Sequence, residues 1–391
     1  MPAQQQTLRD ANQRENSIHW SSESPLTVSV VTRRGDISTR HGRFVGGLAD
    51  GVEVIEIDTG EVRIMLLPTR GMSIWYVESR GTRFGWESPV VGPIHPSNVP
   101  VHEPSGLGWL SGFDELVARC GLESNGAPEH DAQGRLVYPL HGCIGNLAAD
   151  GLSIEFDEAS GRLEVIGEVF ESKLFFKRLR LRSRLRVTAG SSDIELLDDV
   201  TNQLTREAEM QLLYHVNVGA PVLGEGATLH AAVRELAPKD ALSASELSKW
   251  NQYAAPESGY NERVYFTEPV ADDHNRTTVM VQSAAADKGL GVSFGTTMLP
   301  KFVVWKNTGA EHDGYVTGLE PATNLPNTRS FEAGQGRVVK IPPRETVSFR
   351  VTLHPLTDPE SVAAMATQIS QLAEEQPAEI HKDPKPGWSE S

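Results

Sequence analysis

Cysteine is scarce: Cys120 and Cys143 are the only two in 391 residues. So few thiols rule out a disulfide framework and suit a reducing compartment, with both cysteines expected buried and unbridged. No run of 18 apolar residues occurs, so no membrane-spanning helix is expected. The first residues, MPAQQQTLRD, lack a basic flank leading into an apolar stretch, so no secretory leader is expected and the cytoplasm is the expected location. Basic residues are also in deficit, 36 Lys and Arg against 52 Asp and Glu, a formal charge of −16. Nucleic-acid grooves need clustered cations, so neither nucleic acid nor a membrane is expected as a partner. A strongly anionic polymer is disfavoured too, although a local basic pocket can override the mean charge.

Helical signals are sparse. From Leu26 onward the text consists of short alternating runs: Leu26 to Thr32, Val52 to Ile57, Val62 to Leu67 and Leu163 to Val169. A period of two rich in Val, Ile and Leu marks half-buried strands, and the intervening Gly, Asn, Asp and Pro supply turns. The clearest strand runs from Phe175 to Val187. Leu179, Leu181, Leu185 and Val187 point one way, and Arg178, Arg180, Arg182, Arg184 and Arg186 the other. Folding back through Gly190 and Ser191 sets Glu195 opposite Arg186 and Asp199 opposite Arg182, so the arginine row reads as a solvated, ion-paired face. One good helix is expected near the end, with Asp358 as N-cap, Pro359 in the first turn and an apolar stripe of Val362, Met365, Ile369 and Leu372. A shorter helix is expected around residues 112–118. The expectation is an all-β protein with few short helices: an N-terminal arm (1–25), a single β-domain (26–357), and a C-terminal helix with a disordered tail (358–391).

Four places interrupt apolar strand text with polar residues beside glycine or proline: Arg70 in Pro68-Thr-Arg-Gly, His141 in Leu140-His-Gly, His215 and Asn217 in Tyr214-His-Val-Asn, and Glu320 in Gly318-Leu-Glu-Pro. Each has an ordinary reading. An arginine before glycine is usually at the surface, a strand histidine is usually a satisfied core residue, and glutamate before proline commonly ends a strand. Together they say more. His215 and Glu320 both sit in text expected to be buried, where an unpaired charge is costly. Such groups are retained chiefly when paired or functional. A carboxylate and an imidazole on opposite sides of one small substrate make a general base and a general acid.

At these residues the chain resembles the aldose 1-epimerase (galactose mutarotase-like) superfamily, in particular a branch that carried a domain-of-unknown-function label. The matching segments are Thr69-Arg-Gly-Met72, Gly112-Phe-Asp-Glu-Leu116 with Cys120-Gly-Leu122, Leu140-His-Gly142, Tyr214-His-Val-Asn217, Trp305-Lys306 and Gly318-Leu-Glu-Pro321, and they span roughly Pro68 to Arg329. The resemblance implies a galactose mutarotase-like β-supersandwich that binds a small-molecule sugar on its concave face. It implies Glu320 as the base for the anomeric hydroxyl and His215 as the acid for the ring oxygen, with no cofactor and no metal. A bell-shaped pH profile follows, its acid limb from Glu320 and its basic limb from His215. Arg70, His141, Asn217, Asp114, Glu115, Trp305, Lys306 and Asn324 are implied as sugar contacts. The chain departs from the mutarotase pattern in having Tyr214 where an asparagine precedes the acid histidine. For the substrate-binding aspartate expected between acid and base, Lys239-Asp240-Ala-Leu offers Asp240 without a convincing motif. Three matters stay open: an isomerase or lyase that removes a carbon-bound proton from a keto sugar or glycoside with the same acid–base pair, with or without a metal; a sugar-binding module without turnover; and assembly as a homodimer.

Overall fold

A computed structural model describes residues 11–374 and 376–390. Two large sheets of fifteen and eight strands, antiparallel but for one edge strand of the larger, lie face to face, with a two-stranded ribbon beside them. The α-helices among the described residues are Ala241–Ser245, Arg329–Gly334 and Pro359–Glu374. None of these is long and apolar enough to cross a membrane. The fold is the all-β architecture expected.

The core lies where alternation puts it, between the sheets. Leu163, Val165, Leu179, Leu181, Leu185, Leu196 and Val200 of the smaller sheet pack against Ile64, Ile74, Val117, Leu212, Tyr214, Val216 and Leu319 of the larger. The strand Lys177–Thr188 buries every second residue, and its register sets Arg186 opposite Glu195 and Arg182 opposite Asp199, as read from the sequence. Arg186 pairs with Glu195 at 3.2 Å and with Glu164 at 2.7 Å; Asp199 takes Arg184 as its partner, at 2.9 Å, and not Arg182. The expected start at Phe175 is displaced, because residues 174–176 form an exposed hairpin tip with Phe175 at a φ of 70°.

One ion pair crosses the core. Arg119, on the strand Val117–Leu122 of the larger sheet, donates to both carboxylate oxygens of Asp198, at 2.6 and 3.1 Å, on the strand Ile194–Asn202 of the smaller. Ser183 Oγ (2.8 Å) and Met72 O (2.6 Å) accept its remaining donors, and Tyr214 donates its hydroxyl to Asp198 at 2.7 Å.

Three expectations need correction. The sheet begins before Leu26, since Ile18–Ser21 pairs antiparallel with Gly35–Phe44; residues 1–10 of the expected arm lie outside the described residues. The expected helix over 112–118 is absent: a 3₁₀ turn, Gly108–Gly112, ends where it was expected to begin and leads into extended chain, and Leu116 donates its N–H to Trp75 O at 2.8 Å. Residues 376–390, expected to be disordered, are docked. Glu379–Ile380 adds in parallel to Val233–Pro238, and Trp388 is buried against Val264, Phe266 and Val303. One large apolar side chain in otherwise polar text supplies the burial that composition hid. The last helix is as expected: Asp358 accepts the Ser361 N–H at 2.9 Å, and Val362 and Ile369 are buried beside Met280.

The two arginine environments should respond differently to substitution. Arg182→Gln removes a side chain that is 41% exposed and 4.0 Å from its nearest carboxylate, and should cost less than about 1 kcal/mol. Arg119→Met strands the Asp198 carboxylate in the core and should cost about 3–5 kcal/mol. Urea denaturation separates the cases; similar costs would contradict the assignment of one face to solvent and the other to the core.

Candidate active site

The strands Ala208–Val218 and Val316–Ala322 are neighbours in the middle of the larger sheet, Asn217 opposite Gly318 and Val216 opposite Leu319. Tyr214, Val216 and Leu319 point into the core, so alternation sends His215, Asn217, Gly318 and Glu320 to the other face. There His215 and Glu320 line a cavity of about 250 Å³ with His141, Trp109, Phe113, Trp305, Lys239 and Glu262.

His215 Nε2 lies 3.2 Å from Glu320 Oε1, and both side chains are nearly fully buried. A Cβ on Gly318 would stand 2.6 Å from Glu320 Oε1 and 3.0 Å from His215 Cε1, so glycine there is what lets the pair meet. The tautomer follows from the partners. Asn217 Nδ2 donates to the carbonyls of Glu115 (2.8 Å) and His215 (3.3 Å), which turns its Oδ1 toward the ring. His215 Nδ1–H therefore donates to Asn217 Oδ1 at 2.7 Å, leaving the Nε2 lone pair facing Glu320.

Burial sets the protonation. It pushes the Glu320 carboxyl up to about 8, helped by the nearby Glu262 and opposed by Lys239. It holds His215 well below the ordinary imidazole value, with His141 adding to the effect and the Asn217 hydrogen bond resisting it. At neutral pH the pair thus shares one proton, carried by Glu320 and directed at His215 Nε2. Moving that proton across gives a carboxylate and an imidazolium with no change in proton count.

His141 is set by backbone geometry. Its φ of 58° is left-handed, a conformation that costs a non-glycine residue energy and that marks functional positions when the surroundings enforce it. Its N–H donates to Gly126 O at 2.9 Å, and its Nδ1–H to Asn125 O at 2.9 Å. Burial lowers its pKa to about 4, so the ring is neutral at pH 7 with Nε2 as an acceptor. The His141 and Trp109 rings lie 4.6 Å apart, and Phe113 and Trp305 flank His215 at 5.0 and 5.3 Å.

The cavity thus brings together His215, Glu320, His141 and Trp305 of the residues picked out in the sequence. The others stand behind it. Arg70 is buried, donating to Glu115 (2.9 Å), to Gly112 O (2.7 Å) and to Asn146 Oδ1, and it does not reach the cavity. Glu115 is its partner, and the Glu115 carbonyl holds Asn217, so this group braces His215 from the rear. Asp114 accepts from Trp75 Nε1 at 2.8 Å; burial and the neighbouring Glu115 raise its pKa well above the ordinary value. Lys306 donates to the carbonyls of Lys249 (2.8 Å) and Gln252 (2.6 Å), with its pKa lowered by burial to about 8. Asn324 exchanges two 2.9 Å hydrogen bonds with Asn125, the residue whose carbonyl holds His141. Arg70 and Asn217 were singled out as polar interruptions of apolar text, and Asp114, Glu115, Lys306 and Asn324 by the resemblance alone. Buried polar groups that brace a site leave the same trace as those that touch a ligand.

Asp240 is also placed elsewhere: it caps the helix Ala241–Ser245, accepting from Ser243 N–H at 2.7 Å. Glu262 is the second carboxylate of the cavity, its Oε2 accepting from Trp305 Nε1 at 2.7 Å. Glu262 and Lys239 escaped the sequence reading because both lie in polar text at strand ends. Trp109 left a usable signal, an aromatic beside glycine just before the Gly112-Phe113 segment. Among the described residues, one group of three side chains is close enough to share a metal, namely Glu235, Glu379 and His381, and none of them lines this cavity.

Residues 49–354 match the family described as "Domain of unknown function (DUF4432)". No curated protein matches the chain. Among solved structures, a protein from Klebsiella pneumoniae subsp. pneumoniae named as a candidate aldose 1-epimerase is 33% identical, with a TM-score of 0.86 over 89% of this chain and 91% of that one. A galactose mutarotase-like protein from Clostridium acetobutylicum is 11% identical, with a TM-score of 0.57 over 82% of this chain and 98% of that one. Galactose 1-epimerase from Lactobacillus acidophilus is 13% identical, with a TM-score of 0.50 over 81% of this chain and 98% of that one. At these last two identities the likeness is one of fold.

The protonated Glu320 has a consequence for stability. The folded protein holds this proton up to about pH 8, whereas the unfolded chain releases it near the ordinary 4.5. Between those values the folded state binds the extra proton, so stability falls as pH rises. Glu320→Gln cannot ionise and should gain on the wild type between about pH 5 and about pH 8. Urea midpoints at both ends of the range test this; parallel pH dependence in the two proteins would contradict a buried, protonated Glu320.

Proposed function

The chain belongs to the DUF4432 branch of the aldose 1-epimerase (galactose mutarotase-like) superfamily, and on that premise we propose that it interconverts sugar anomers by acid–base ring opening. What carries this reading is the 3.2 Å contact between Glu320 and His215 inside the cavity. The reaction moves two protons between oxygens and asks for two poised carriers. In the carboxylate–imidazolium form, Glu320 accepts the proton of the anomeric hydroxyl while His215 Nε2 delivers one to the ring oxygen. The bond from the anomeric carbon to the ring oxygen breaks, giving the open-chain aldehyde. Rotation about the adjacent carbon–carbon bond and the same steps in reverse give the other anomer, with the pair's proton returned.

The adjacency of the pair suits this chemistry. The two oxygens involved are bonded to the same carbon, so the carriers belong side by side, which replaces the expectation of groups on opposite sides of the sugar. Asn217, backed by Glu115 and Arg70, fixes the His215 ring. His141 Nε2 and Glu262 are the acceptors for sugar hydroxyls, and Trp109, Phe113 and Trp305 supply apolar walls for the ring faces. Glu262 takes the binding role that the resemblance suggested for Asp240.

The pH profile of kcat/KM should be bell-shaped with the limbs exchanged from the sequence-based expectation. The basic limb, near 8, is loss of the shared proton formally carried by Glu320. The acid limb is protonation of His215, below the ordinary 6.5.

Glu320→Gln keeps shape and hydrogen bonding but removes the proton acceptor, and His215→Asn removes the donor. Each should slow the relaxation of a freshly dissolved pure anomer by roughly 100- to 10,000-fold. The double variant should lose far less than the product, because the two act on one event. Near-normal relaxation in both single variants would refute the roles assigned.

A further inference from the structure

The cavity holds one cationic side chain that ring opening does not use. Lys239 follows the strand Val233–Pro238, its backbone N–H donating to Val264 O at 3.0 Å, and its side chain lines the cavity. Among the described residues its ammonium has no ion pair and no hydrogen bond. The cavity's other ionisable groups are engaged: Glu320 with His215, His141 with Asn125, Glu262 with Trp305. The buried lysines are engaged, Lys301 by Glu268 and Lys306 by two carbonyls, whereas Lys239 is half-buried.

An unpaired ammonium in a cavity that Trp305 and Phe113 also line runs against the protein's own charge. The chain carries −16 overall, a field that discourages anions unless a local cation offsets it. Lys239 supplies that offset inside the cavity, where its charge lowers the pKa of both Glu320 and His141. The catalytic pair carries no net charge while it shares one proton, so the carboxylate an anionic ligand has to avoid is Glu262, which is held by Trp305 Nε1. The space is small, about 250 Å³, which is below the roughly 300 Å³ at the lower end for drug-sized ligands. One sugar ring with one substituent fits that description.

We propose that Lys239 binds an anionic substituent, so that the substrates are acidic monosaccharides carrying a carboxylate or a phosphate. This specificity rests on the acid–base reading of Glu320 and His215.

Anomer exchange measured by NMR tests it, using glucuronate and galacturonate as carboxylates, glucose 6-phosphate as the phosphate, and glucose and galactose as neutral sugars. The wild type should favour one acidic class over its neutral counterpart, and which class it favours identifies the anion. In Lys239→Met the ratio of kcat/KM for acidic over neutral sugar should fall about 10- to 100-fold, the range for one charge-assisted contact. Lys239→Arg should keep most of that ratio, and added salt should erode it in the wild type. Equal or better turnover of neutral sugars, with the ratio unmoved in Lys239→Met, would overturn the specificity while leaving the acid–base reading intact. Calorimetric binding of the acidic sugar that is lost in Lys239→Met, without exchange of any anomer by the wild type, would support the specificity and overturn the acid–base reading.

Discussion

The Arg119–Asp198 pair is the constraint from which the rest of the arrangement follows. Both side chains are fully buried, in a setting where a charge without a partner is untenable. The guanidinium belongs to one sheet and the carboxylate to the other, so satisfying them fixes how the sheets lie against each other. Hydrophobic contacts alone tolerate sliding. A bidentate ion pair does not. Tyr214 joins the same carboxylate, which fixes the phase of the strand Ala208–Val218. With Tyr214 held inward, His215 and Asn217 must face outward.

The same economy of charge shapes the site. Arg70 and Glu115, buried a short way behind the cavity, pair with each other and hold Gly112 and Asn217. Glu320 and His215 are treated differently. They meet in a place too dry for separated charges, and their shared proton makes them neutral together. A carboxyl that burial makes hold its proton and an imidazole that burial makes reluctant to take one have been put in contact, so the proton rests on Glu320 and faces His215. That is a resting state one proton shift from the acid–base form the chemistry needs.

Much of the fold was legible because period two is a strong signal. The strand Lys177–Thr188 and its partner could be paired residue by residue, since a slip by one would have turned leucines outward and arginines inward. The ion pairs were less legible: long side chains choose among several neighbours, and Asp199 chose Arg184. At the site, His141, His215 and Glu320 could be named, yet their convergence rested on resemblance, because sheet order brings together segments separated by long stretches of chain. Arg70 was misplaced for a physical reason. An arginine at a strand end before glycine reads alike whether its guanidinium meets a ligand or a buried glutamate. Lys239 and Glu262 left no trace, since a polar residue at a strand end is ordinary until its neighbours are known. The docked tail was hidden the same way, one tryptophan outvoted by charged and proline-rich text.

Deuterium NMR bears most directly on the claim that this pair opens and closes a sugar ring. Pure anomers of the sugar panel, incubated with the protein in D₂O, are followed for both anomeric exchange and the intensity of every carbon-bound proton. Ring opening by Glu320 and His215 touches only oxygen-bound protons, so the account predicts accelerated exchange of anomers with all carbon-bound proton signals intact. Loss of a carbon-bound proton signal to deuterium, at a rate matching turnover, would contradict it and assign the pair to proton abstraction from carbon.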